Sequence, residues 1–329
     1  MESNQHPLRI VFMGTPTFAV ASLQLLVEKG FNIVGVITAP DKPAGRGQQL
    51  QFSAVKTYAL QHQLKILQPE KLKDASFIDE YQQLKPDLNI VVAFRMLPEI
   101  IWNYPVYGTF NLHASLLPQY RGAAPINRAI MNGEKETGLT TFFLQHEIDT
   151  GKVIIQQKIP LNDEITAGEL HDQMMPIGAE MVVKTVEMIE KNAIYSTEQS
   201  QLIENDNVIL NSAPKIFKED CLLDWSLSLK QIHDQIRGLS PYPTAFTVLI
   251  NDQGVEMLVK IYKSRTEYFK NIENTGIIES DGKSYMAIHH PEGRIFIEQI
   301  QAPGRKQLAI SEFLRGFSLL TGGWKVKVS

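Results

Sequence analysis

A single cysteine, Cys221, in a chain of 329 residues leaves no partner for an internal disulfide, so the fold needs no oxidising compartment. Long apolar runs are equally scarce. The mostly apolar run Leu88–Met96 is interrupted by Arg95 and followed by Pro98, well short of the roughly 20 residues that cross a bilayer. The start, Met1 to Pro7, is polar and carries Glu2, without the basic start and apolar run of a secretory signal. These absences exclude a disulfide-framed secreted scaffold and a helical membrane protein. A cytoplasmic protein with no membrane partner is the expectation.

Metal and dinucleotide signatures are missing too. His113, His146 and His171 are far apart, and none belongs to a His-Glu-x-x-His or Cys-x-x-Cys pattern, so no metal is expected. The first turn, Gly14-Thr15-Pro16-Thr17, has one glycine where a dinucleotide fingerprint needs three. Pro16 also removes an N–H that a phosphate would use. A nicotinamide dehydrogenase is disfavoured, and the loop reads as a structural turn with Thr15 placed to line a site. Strong basic charge is absent as well: the net charge is −4. It is unevenly spread, with 15 Lys and Arg against 13 Asp and Glu from Ser212 to Ser329, and 17 against 23 in the remainder. A locally basic surface in the second part is compatible with an RNA partner.

What is present is an ordinary globular composition, 43% hydrophobic and 21% charged, on a chain long enough for two cores. Strand patterns at Leu8–Met13, Phe31–Thr38, Leu88–Phe94, Thr109–His113, Leu139–Gln145 and Val153–Leu161 alternate with helix patterns at Thr17–Lys29, Phe52–Gln61 and Ser76–Leu84. Pro125 sits like an N1 proline, and Thr166 with Glu169 forms a capping-box pattern heading a long helix to about Lys191. The alternation predicts an α/β fold, a Rossmann-like doubly wound parallel sheet, over residues 1–191. A polar stretch without helical period marks a linker at 192–211. From 212 to 329 a helix pattern at Leu229–Arg237 precedes short β-like runs at Ala245–Ile250, Met257–Tyr262, Gly276–Glu279, Tyr285–His289 and Ile295–Gln301. That spacing predicts a small all-β, OB-like barrel. His289 and His290 read as a solvated strand end.

Ligands of parallel sheets bind at the carboxyl ends of strands, where one segment stands out: Asn111-Leu112-His113-Ala114-Ser115-Leu116-Leu117-Pro118-Gln119-Tyr120-Arg121-Gly122. Residues two apart in a strand share a face, so Asn111 and His113 project together. An amide beside an imidazole suits a tetrahedral oxyanion plus a proton transfer, the needs of acyl transfer between nitrogens. Taken alone, such a pair is more often structural. Ser115-Leu116-Leu117-Pro118 is too apolar for a solvated loop and reads as a pocket wall. Asp149, in Ile148-Asp149-Thr150-Gly151 between two strands, is either a turn residue or a carboxylate that fixes an imidazole and holds protons.

Together these residues resemble the folate-dependent formyltransferases, and within them the methionyl-tRNA formyltransferases over nearly the whole chain. The opening Arg9–Ala19, the segment Asp41–Gly47, Ala213–Ile216, Asp224–Ser226, Ile236–Gly238 with Pro241–Pro243, and Phe313–Gly316 carry the likeness in order. The resemblance implies an enzyme that moves the formyl group of 10-formyltetrahydrofolate to the amino group of initiator methionyl-tRNA, with no metal. Asn111 and His113 would stabilise the oxyanion, and Asp149 would orient His113 and help take the amine's proton. Ser115, Leu116, Leu117 and Pro118 with Phe94, Arg95 and Leu97 would hold the folate. Lys42 and Arg46 would meet the tRNA, as would the barrel. A monomer is expected. Two positions depart from the family pattern: Arg95 stands where a small residue is expected, and Gln119 where many members carry a basic one. A formyltransferase of a sugar nucleotide or other small amine shares the catalytic trio. A non-catalytic RNA-binding module is the reading from a different class.

Overall fold

The run Ile10–Gly14 (β1) is buried along its whole length, as a central strand covered on both faces requires. Beside it lie Ile33–Ile37 (β2), Ile66–Leu67 (β3), Leu88–Val92 (β4), Thr109–His113 (β5), Glu136–Phe143 (β6) and Val153–Pro160 (β7). They form a seven-stranded sheet in the order β7-β6-β5-β4-β1-β2-β3. The computed structural model describes residues 6–44, 49–203, 209–270, 275–317 and 323–327. The chain divides into two compact units. One comprises Met1–Gly122, Gly138–Ile159 and His171–Ser212, and the other Ala123–Thr137, Pro160–Leu170 and Ala213–Ser329.

The pairs β1–β2, β1–β4, β2–β3 and β4–β5 are parallel, but β6 runs antiparallel to β5, with Phe110 opposite Phe143 and His113 opposite Thr140. The expected doubly wound parallel sheet is present and mostly parallel, with β6 as an antiparallel addition. A parallel neighbour needs a crossover helix laid on the sheet. The one helix between β5 and β6 is Pro125–Met131, whose Asn127 bonds the Gly238 carbonyl within the second unit, and the chain returns antiparallel.

Helix Thr17–Glu28 buries Phe18, Ala19, Ser22, Leu23 and Leu26, an apolar stripe at helical spacing. The core of this unit gathers Val11, Met13, Ile37, Phe77, Tyr81, Val91, Leu97 and Ile101. Arg9, the one charge in the first strand's run, caps the end of helix Ala75–Gln83: its guanidinium donates to the carbonyls of Leu84 and Lys85. Buried Asn89 ties β4 to its surroundings by donating to Tyr81 Oη, Ile101 O and Thr109 Oγ1. Burial pushes the Tyr81 hydroxyl pKa up.

The second unit is a barrel. Its strands Ala245–Ile250 (β8), Glu256–Tyr268 (β9), Ile278–Ser280 (β10), Met286–His290 (β11), Gly293–Gln301 (β12) and Lys325–Val326 (β13) run in the order β10-β11-β12-β9-β8-β13. A bridge between Ile277 and Lys325 joins the two ends, so the antiparallel sheet nearly closes on itself. Side chains of β8 alternate buried and half-buried, as the period of two demands. They face Trp225, Leu229, Ile232, Ile236, Ile261, Ile288, Ile297 and Phe313 in one core. Helix Leu229–Gly238 opens with a full capping box between Ser228 and Gln231. Gly238 ends it against helix Pro125–Met131, where a Cβ would lie 2.6 Å from Met131 Cγ; only glycine permits that approach. His289 and His290 are not a solvated end. His290 is buried with Nε2 on Leu227 O, and His289 is bonded to Glu279.

Candidate active site

Three strands end side by side in register: Gly14 lies opposite Val92, and Val92 opposite Leu112. The turns after β1, β4 and β5 therefore leave the sheet at one edge. Strand order reverses between β1 and β4, the switch point where such folds bind ligands. From this edge β5 presents Asn111 and His113 on one face.

His113 is buried at 7% exposure. Its Nε2 lies 2.8 Å from the carbonyl oxygen of Tyr120. A carbonyl only accepts, so Nε2 carries the proton and, in the neutral ring, Nδ1 keeps a lone pair. Nδ1 faces Asp149 Oδ2 across 3.9 Å, too far for a direct hydrogen bond and close enough for charge coupling. The same Oδ2 accepts the Gly122 N–H at 2.9 Å. Asn111 Oδ1 is buried without a hydrogen-bond partner among the described residues. An unmet buried amide atom is costly, and rotation of the amide would place its NH2 at the same point. The structure thus brings Asn111, His113 and Asp149 to one corner with an open amide end and an open nitrogen.

The turn that carries Asp149 is tightly specified. A Cβ on Gly151 would overlap the Phe143 carbonyl, so the Asp-Thr-Gly sequence needs its glycine. Asp149 itself has φ 55°, and Tyr120 has φ 58°. Left-handed backbone costs about 1–3 kcal/mol at a non-glycine residue and persists only where neighbours over-determine it. Both strained residues touch the imidazole's surroundings, Tyr120 through its carbonyl and Asp149 through its carboxylate.

The loop Ser115–Pro118 is built from within. Ser115 Oγ donates to Gln119 O, Thr140 Oγ1 donates to Ser115 O, and Gln156 Nε2 donates to Leu117 O. Ser115, Leu117 and Pro118 are buried, and Leu117 packs with Phe142 and Val153, which leaves Leu116 half-buried. After β4, Ala93 takes φ 47°. Leu97 is in the core, Phe94 packs partly against it, and Arg95 donates to the carbonyls of Pro69 and Glu70. Arg95 is thereby occupied by backbone. Gln119, the other departure, ties this segment to the linker through Ile209 O and the Asn211 N–H.

Lys42 stands apart, exposed on the hairpin Lys42–Ala44 with Gln49–Gln51. Arg46 lies outside the described residues. At the hairpin's base Asp41 accepts from Gln68 Nε2 and pairs with Lys56. These contacts hold its carboxyl below the usual carboxylate range, the Gln68 bond contributing most. The three histidines weighed as metal ligands are not brought together. His146 lies against Trp102 and Glu99, and His171 against Phe18 and Asp172. Sequence reasoning held Tyr120, Arg121 and Gly122 within the candidate segment but gave them no role, and it passed over Gln199; these four make the site's backbone and amide contacts.

A sheet with its switch point at β1 and β4, an Asn–His–Asp corner and a following barrel define a class, and the comparisons with known proteins agree. Residues 8–186 match the formyl transferase family, and 215–318 match the formyl transferase C-terminal domain. A methionyl-tRNA formyltransferase of Bacteroides fragilis is 53% identical over 97% of this chain and 98% of its own length. Another, of Flavobacterium johnsoniae, is 47% identical over 94% of this chain and 96% of its own. Among solved structures, an N-formyltransferase of Helicobacter canadensis in complex with folinic acid and dTDP-3-aminofucose has a TM-score of 0.63 at 22% identity. It covers 92% of this chain and 100% of that one, a likeness of fold. HypX of Aquifex aeolicus in complex with tetrahydrofolic acid has a TM-score of 0.60 at 18% identity, over 93% of this chain and 47% of that one. The chain belongs to the formyl transferase family, and among its members to the methionyl-tRNA formyltransferases. Among the described residues no helix is long and apolar enough to cross a membrane.

Proposed function

We propose that the Asn111–His113–Asp149 corner transfers the formyl group of 10-formyltetrahydrofolate to the amino group of initiator methionyl-tRNA. The observation that carries the reading is the pair of open atoms there: a buried Asn111 amide end without a partner, and His113 Nδ1 facing Asp149 across 3.9 Å. The acceptor follows from what the relatives of 47–53% identity are named for. The residues fit a folate donor. Phe94, packed against the cluster that holds Leu97, and Leu116 offer half-buried apolar side chains near the strand ends, beside buried Ser115, Leu117 and Pro118.

In the reaction a bond forms between the methionyl nitrogen and the formyl carbon, and the bond from that carbon to N10 of the folate breaks. Negative charge gathers on the formyl oxygen between these events. The Asn111 amide, turned to present its NH2, donates to that oxygen. Nδ1 of His113 lies where a proton must move. Its lone pair faces the corner because Tyr120 O holds the proton on Nε2, and the Asp149 carboxylate favours the charged ring once Nδ1 is protonated. The amine gives up one proton and N10 receives one, so His113 with Asp149 keeps the balance. Lys42 on the hairpin, together with Arg46 four residues further along the sequence and the barrel, takes the tRNA. The chain works as a cytoplasmic monomer without a metal. Incubation with 10-formyltetrahydrofolate and charged initiator tRNA should yield formyl-methionine. Formylation of a dTDP-amino sugar in its place would overturn the reading.

A further inference from the structure

Gln199 sits in the segment that reads from sequence as linker, yet it is buried at 3% exposure. Its Nε2 donates to two carbonyls, Asp149 O at 2.8 Å and Gly151 O at 2.9 Å. Its Oε1 accepts from Arg121 at both Nε, 3.0 Å, and Nη2, 2.6 Å. The amide's orientation is fixed by its partners. A flipped amide would set oxygen against two carbonyls and NH2 against a guanidinium, which has no acceptor.

The four bonds complete a closed circuit. From Asp149 Oδ2 it runs to the Gly122 N–H, along the chain to Arg121, across to Gln199, and back to the Asp149 carbonyl. The residue before Arg121 is Tyr120, whose carbonyl holds His113. Both fixed points of the His113–Asp149 gap, Tyr120 and Asp149 with their left-handed backbone, hang on this circuit. The linker itself is anchored, because Thr197 and Val153 exchange both backbone bonds at 2.8 Å, and Asn211 O accepts the Tyr120 N–H at 2.7 Å. We propose that Gln199 is a positioning residue, which sets the spacing between His113 and Asp149 by holding the Asp149 turn to the Arg121–Gly122 strand. The proposal rests on the role given above to His113 and Asp149. It makes the linker part of the catalytic apparatus, acting through those two residues and touching no substrate.

Two substitutions share the loss that matters. Gln199→Met keeps the volume and removes every polar contact. Gln199→Glu can still accept from Arg121, now as an ion pair, but cannot donate to the carbonyls of Asp149 and Gly151. Both should lower kcat about 10-fold while KM for 10-formyltetrahydrofolate and methionyl-tRNA stays within about twofold, the signature of a lost transition-state arrangement. The 15N chemical shifts of the His113 ring should report an Nε2–H tautomer in the wild type and a mixture in both variants, with no substrate present. Wild-type kcat and an unaltered ring tautomer in Gln199→Glu overturn the proposal, as does a change confined to KM or to thermal stability. If the wild type fails to formylate methionyl-tRNA, the functional reading falls, and the ring shifts still decide whether Gln199 sets His113.

Discussion

His113 at the edge of the first sheet and His233 inside the second unit are buried alike, at 7% and 6% exposure, yet they are finished differently. His233 has both ring nitrogens closed: Nε2 donates to Asp163 O at 3.2 Å, and Nδ1 accepts from Ser264 Oγ at 2.9 Å. Burial pushes its pKa below the ordinary imidazole value, with the Asp163 bond pulling the other way. His113 has one nitrogen closed by Tyr120 O and the other left facing a carboxylate out of bonding range. Burial alone does not separate a structural histidine from a working one. The separating feature is whether the second nitrogen is spent. One ring is a sealed neutral spacer between helix Leu229–Gly238 and β9, and the other leaves Nδ1 facing a carboxylate, as the proposed proton transfer requires.

The largest effects should come from the open corner. His113→Ala or Asn111→Ala should slow formylation by about 10²–10³-fold, or about 3–4 kcal/mol, with folate binding retained, because a donor to the transition state is lost. Steady-state kinetics with a parallel folate titration measure both. Asp149→Asn should cost about 10²-fold in kcat. The fold should survive, since asparagine also tolerates φ near 55° and still accepts from the Gly122 N–H. A collapse of thermal stability along with the activity would show Asp149 to be a turn residue and erase the contrast.

Changes at His233 should move stability instead. His233→Leu strands Ser264 and the Asp163 carbonyl, which should cost about 1–3 kcal/mol in denaturant unfolding while kcat at 25 °C holds. The pH dependence has a definite sign. With its folded pKa depressed, His233 takes a proton in the unfolded chain first, so its contribution is present above the unfolded value near 6.5 and is lost as pH falls through the folded pKa. In that window stability should drop by up to about 1.4 kcal/mol per pH unit, and His233→Leu should flatten that part of the curve. The smallest effect is expected in the barrel core. Trp225→Phe removes the bond from Trp225 Nε1 to Thr247 Oγ1, 2.9 Å, and should cost about 1 kcal/mol without touching the kinetics.

Local signals in the sequence carried far where they were self-contained. Thr109–His113 and Ala245–Ile250 form at the expected bounds. Thr166 and Glu169 make the reciprocal capping bonds their spacing announces. Asn111 and His113 were findable because a strand's period fixes which residues share a face. Other features depend on partners distant in the chain and leave no local pattern. The antiparallel turn of β6 is one. The second half of β9 is another, since Lys263–Tyr268 is polar outside and its inward Ser264 is there for His233. Nothing local marks 123–137 and 160–170 as companions of 213–329. Tyr120 acts through its carbonyl, which every residue has, and Gln199 acts from a stretch whose polarity reads as solvated. Such groups become visible only when backbone oxygens have positions.

The barrel's closing stave is two residues wide. Lys325 and Val326 pair with Ile250 and Leu249 on one side, and on the other Lys325 bridges Ile277 while the Val326 N–H reaches Gly276 O at 2.8 Å. A ribosome therefore delivers β8 about 75 residues before the stave that covers its free edge, an interval of about 4–15 s at the usual pace of synthesis. During that time the growing barrel is an open curl with two bare rims, each a template for a stray strand from another chain. Lys325 and Val326 end that exposure, so a cut or a stalled chain just before them should yield a sticky protein well before it yields a slow enzyme.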